Sequence, residues 1–356
     1  MNYLKLGLIS LAFLSSISMA DRQVLSHNIE PNEQIMSTMG EDNFLAIKKN
    51  NSSYQFKITN SSNDALIQAP LPWQPSHLES FNDIDRSLIG SLKKNGFNGD
   101  GNLAVVSPGG IVKSFENVND FGSLNSSGGF FIISNQAGES TLSTYSENLK
   151  KISSRSFSSG LVKRNMVSVS KDGKELVFSS PSPDMSHRKS ITKYSGHDFS
   201  KEIKYVFGGA PLYQAVSFGD NELAINVSGK LVAFRGQTAV WTYEPKPYFS
   251  VNLVATSQDK NYLVIKGDSG EVALINSEGN ELFRVDNRNG SEVSVKGKFA
   301  LVTNNGLAKK FSLETGKKVQ EVRINDTSKV IGLSQNNIYV TDKRYGGLNK
   351  AQEKDK

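Results

Sequence analysis

The chain has 356 residues, no cysteine and a formal net charge of +6, with 37% hydrophobic and 21% charged residues. The lack of cysteine excludes disulfides, thiol chemistry and thiolate metal sites, and a chain of this length buries roughly three-quarters of its unfolded surface without such cross-links. The positive excess is mild and spread along the sequence, so no nucleic acid is expected as a partner.

Residues 1–20, MNYLKLGLISLAFLSSISMA, carry one positive charge at Lys5, an apolar core from Leu6 to Ile17, and small residues at Ser18 and Ala20. This is the pattern of a secretory signal peptide cut after Ala20. The apolar run is shorter than the roughly 20 residues a bilayer needs, and serines interrupt it. Removing Lys5 with this segment leaves +5 on the mature chain. No cysteine follows the cut to carry a lipid, and no later apolar run approaches membrane length, so a periplasmic or secreted location is expected.

From residue 21 onward, short runs rich in Val, Ile, Phe, Leu and Tyr alternate with clusters of Gly, Asn, Asp and Ser, the signature of strands and turns. Helical periodicity is hard to find. In chain order, hairpin tips fall near residues 61 (ITNSSNDALIQ), 109 (VVSPGGIVKSF), 148 (YSENLKKI), 197 (YSGHDFSKEIKYVF), 236 (FRGQTAVWTY), 278 (INSEGNELFRV) and 315 (FSLETGKKVQEV). Their mean spacing is about 42 residues. A second hairpin precedes each, clearest at VSVSKDGKELVF (167–178) and weakest near 78–92. Each unit is therefore two hairpins, too small to bury its own apolar faces, and a period in the forties with four short strands predicts an all-β propeller of stacked blades.

The turn SKDGKEL and the strand-turn-strand FSLETGKKVQEV resemble repeats of the WD40 and quinoprotein-like propeller superfamily. The resemblance covers nearly all of the mature chain and implies a fold, not an activity. No unit carries the Gly-His and Trp-Asp signatures of WD40 proper together, and the tryptophan-rich docking motif of quinoproteins is absent. Length divided by period predicts seven or eight four-stranded blades, closed by pairing of an N-terminal strand within residues 22–30 with the C-terminal hairpin at 329–341. The expected organisation is a signal peptide at 1–20, one propeller domain at 21–343 and a basic flexible tail at 344–356.

Residue-level chemistry is sparse. There is no G-x-x-x-x-G-K-[ST] and no G-x-S-x-G motif. The four histidines, His27, His77, His187 and His197, are isolated, and none is expected on an innermost strand, so neither a metal nor another cofactor is anticipated. NGFNGDGN (95–102) lacks the spaced carboxylates and the closing glutamate of a calcium loop.

In propellers of this type the two hairpin turns of each blade point to one face, and the links between hairpins and between blades point to the other, which is the usual binding face. Those links hold the proline-rich and aromatic segments APLPWQPSH (69–77), NVNDFGS (117–123), FGGAPLY (207–213) and EPKPYFS (244–250), together with SSPSPDMSHRKS (179–190). The candidate binding residues are Trp73, Phe121, Tyr213, Tyr248, Phe249, Arg188 and Lys189, since aromatics and arginine dominate interface hot spots. The competing reading makes the aromatics wedges between blades.

Three functions are consistent with this pattern. The first is a non-catalytic scaffold that binds another protein, such as a component of a bacterial envelope assembly. The second is recognition of an acidic glycan or polyanion through the same face. The third, a propeller enzyme of the lactonase, lyase or quinoprotein type, has no residue-level support.

Overall fold

The computed structural model describes residues 33–350, apart from loop stretches of which the longest are 93–100, 158–166, 182–188, 207–211, 245–250, 286–291 and 343–347. All regular structure among the described residues is strand, and no described helix is long and apolar enough to cross a membrane.

The first sheet holds β1 (Glu33–Met39), β2 (Asn43–Asn50), β3 (Ser53–Thr59) and β4 (Ala65–Leu71). The second holds β5 (His77–Ser80), β6 (Ser87–Ser91), β7 (Asn102–Ser107) and β8 (Gly110–Glu116). The third holds β9 (Asp120–Ser123), β10 (Phe130–Gln136), β11 (Glu139–Tyr145) and β12 (Lys151–Phe157). The fourth holds β13 (Val167–Val169), β14 (Glu175–Pro181), β15 (Lys189–Ser195) and β16 (Lys201–Val206). The fifth holds β17 (Leu212–Phe218), β18 (Glu222–Val227), β19 (Lys230–Arg235) and β20 (Thr238–Tyr243). The sixth holds β21 (Val251–Thr256), β22 (Tyr262–Gly267), β23 (Val272–Asn276) and β24 (Glu281–Val285). The seventh holds β25 (Glu292–Lys296), β26 (Phe299–Asn304), β27 (Leu307–Ser312) and β28 (Lys318–Arg323). An eighth sheet has three strands, β29 (Ser328–Leu333), β30 (Ile338–Asp342) and β31 (Leu348–Lys350).

Within each sheet consecutive strands pair antiparallel, in chain order. The first strands line the middle of the assembly: β1 lies beside β5 and β29, and β17 beside β13 and β21. The ring meets where β1 runs along β29. The expected pairing of the two chain ends is not part of the described sheets, since the first and last are each built from consecutive strands; the N-terminal segment invoked for it lies outside the described residues. The signal peptide lies outside them as well. Residues 348–350, expected within a flexible tail, instead form β31 against Tyr339–Thr341, because Leu348 and its neighbours complete a third row of backbone hydrogen bonds.

Stacking explains why second strands such as β2, β10, β22 and β26, and the third strands β7 and β23, carry near-continuous apolar runs. A strand covered on both faces needs apolar residues at every position. Leu263, Ile265, Ala273 and Ile275 face the fifth sheet, where Val216, Phe218 and Leu231 meet them. The alternate residues Val264, Val272 and Leu274 face the seventh sheet and pack on Ala300, Val302 and Phe311. Similar two-sided clusters join the first sheet to the second and the second to the third. The outermost strands are covered much less; in β12 and β20 most residues are exposed or half-buried.

Candidate interaction faces

The link face carries most of the aromatic candidates, and the structure draws two of them inward. Phe121, on β9, is 4% exposed in the cluster between the second and third sheets. Its ring lies so close to Gly90 that a Cβ there would sit 2.2 Å from Phe121 Cε1. Phe121 is therefore a core residue rather than a surface contact, because an inner strand buries its alternate residues against the preceding sheet.

Trp73, in the link between β4 and β5, is partly buried and packs against the cluster of Leu45, Phe56, Leu71 and Ile89 between the first two sheets. Its ring acts as a wedge and is not a free platform on which a sugar could stack. Tyr213 is in β17, in the stretch where the register with β18 shifts between Leu212 and Ala215, and Lys189 begins β15 opposite Pro181; only their backbones are described. Arg188, Tyr248 and Phe249 lie outside the described residues, as do the stretch at 95–100 and His27, His187 and His197.

The described links are tied down by main-chain bonds. Ser76 donates its N–H to Gly90 O at 2.8 Å, and its Oγ accepts the Leu92 N–H at 2.8 Å. Val118 N–H reaches Gly101 O at 2.9 Å, Asn119 N–H reaches Ile133 O at 2.8 Å, and Asn119 Oδ1 accepts the Asn135 N–H at 2.6 Å. Ile324 N–H reaches Gly306 O at 2.8 Å. Between these anchors Pro72, Gln74 and Ser76 are exposed, as is the adjoining His77.

His77 is on β5, an innermost strand, contrary to the expectation that none would be; the short second unit places its first strand earlier than the repeat spacing implied. Its Nδ1 lies 2.9 Å from Ser76 Oγ. Among the described residues no group of three His, Cys, Asp or Glu side chains is placed to hold a metal ion.

On the opposite, hairpin-turn face, polar side chains link neighbouring sheets. Arg86 Nη1 donates to Glu147 O at 2.6 Å, Lys113 Nζ to Leu149 O at 2.9 Å, and Trp241 Nε1 to Ser277 O at 2.9 Å. Tyr243 donates to Glu281 Oε2 at 2.5 Å and accepts from Arg284 Nη2 at 2.6 Å, and Arg284 closes the triad on Glu281 at 2.7 Å. Burial, followed by the Glu281 carboxylate, pushes the Tyr243 hydroxyl well above its ordinary range, so it stays a protonated donor. The bond to Glu281 raises Arg284 still further above its usual value. Arg155 joins Glu202 across the third and fourth sheets at 2.6 Å while covering the Tyr194 ring. These contacts join the second sheet to the third, the third to the fourth and the fifth to the sixth.

The outer rim holds a pattern that the sequence reading missed. The outer strand is bulged just after the outer turn in six sheets, and the extra residue is Leu66, Val112, Ile152, Val240, Leu282 or Val319. Five of these, all but Leu282, are 40–51% exposed. The signal was there in adjacent apolar pairs such as Leu66-Ile67 and Ile111-Val112, which break the strict alternation of a half-buried strand.

A ring of antiparallel sheets stacked face to face, with the first strand of each toward the middle, defines a β-propeller, and the fold-level resemblance to WD40-like propellers holds for this chain. No protein-family model matches the sequence, and none of the curated proteins compared with it matches either. Among solved structures, the chain is similar to BamB from Moraxella catarrhalis, at 14% identity and a TM-score of 0.55 over 90% of this chain and 96% of that one. It is similar to the computationally designed Ika8 protein, at 11% identity and a TM-score of 0.61 over 92% and 98%. The β-propeller domain of Cps50 (Swd1) from Myceliophteria thermophila matches at 10% identity and a TM-score of 0.50 over 78% and 95%. At these identities the likeness is one of fold alone.

Proposed function

We propose that this chain is a non-catalytic, protein-binding propeller of the bacterial envelope, whose partner is another envelope protein seated on the link face. One observation carries the reading: the described links, anchored at Ser76, Val118, Asn119 and Ile324, present exposed groups from a backbone already held in place. Preordered loops lose little entropy when a partner docks. The signal-like segment at 1–20 supports an exported location. The inter-sheet polar clusters support a non-catalytic role, since each is used in joining blades.

The test is site-specific photo-cross-linking in envelope extract. A cross-linker at Gln74, exposed on the link face, is expected to capture a discrete protein, and one at Gln237, exposed in the outer turn between β19 and β20, is expected not to. Equal capture from both positions, or none from Gln74, refutes the assignment of the face.

A further inference from the structure

We draw no further inference here: the strongest candidate, the outer edge of β31 in the three-stranded eighth sheet, on which no described strand pairs, restates the ring closure expected from the sequence, and the chain ahead of β1 that would cover it lies outside the described residues.

Discussion

The indole of Trp241, on the outer strand of the fifth sheet, lies against Gly279 in the outer turn of the sixth and donates Nε1–H to Ser277 O at 2.9 Å. The turn Asn276-Ser277-Glu278-Gly279-Asn280 is thereby a socket for the neighbouring blade as well as a hairpin tip. Gly279 has φ +84°, and a Cβ there would come within 2.7 Å of the indole. Gly279→Ala is expected to cost about 1–3 kcal/mol from the left-handed backbone alone, with the clash added to it. Urea melts followed by tryptophan fluorescence measure this; an unchanged midpoint refutes the socket.

Trp73 and Phe121 are expected to behave as core residues. Phe121→Ala should cost about 3–5 kcal/mol, and Trp73→Ala, partly buried, about 3 kcal/mol. If Trp73→Ala melts like the wild type and loses cross-linking at Gln74, the tryptophan is a contact and the wedge reading is wrong.

Alkaline pH should weaken the fold through its tyrosines. Burial raises Tyr145, Tyr194 and Tyr243 above the ordinary value of 10.0, Tyr243 most of all. Above about pH 10 the unfolded chain releases these protons while the folded chain keeps them, so the stabilisation is complete below that pH and falls as pH rises toward the folded values. Tyr243→Phe is expected to flatten the decline between pH 10 and 12 in thermal melts. An identical slope in the variant would assign the loss to other groups.

Lys193 on β15 and Glu175 on β14 form an ion pair at 2.7 Å, with side chains 8% and 16% exposed. Removing one partner of a buried pair leaves the other charge uncompensated, so Lys193→Met should cost about 3–5 kcal/mol. Lys193→Met combined with Glu175→Leu should recover most of that loss. A double variant as unstable as the single one would show that packing, not charge, governs the site.

Much of the fold was legible because its signals are local. All seven outer tips read from the sequence fall between the third and fourth strands of the first seven sheets, as at Asn276–Asn280 and at residues 236–237. The inner hairpin at 167–178 is β13 paired with β14. The candidate site was less legible. Phe121 and Trp73 sit in segments with the same proline, glycine and aromatic composition as an exposed loop, and only the neighbouring sheet turns one into core and the other into a wedge.

The sequence by itself determined that the chain is all-β, where its hairpins turn and that they repeat, since turn chemistry and apolar runs act over a few residues. The number of sheets, the ring contact of β1 with β29, the burial of Phe121 and the bulges of the outer strands were decided by tertiary structure. These depend on which surfaces meet across sheets many residues apart, and a single strand's pattern says only that it must be covered, not by what.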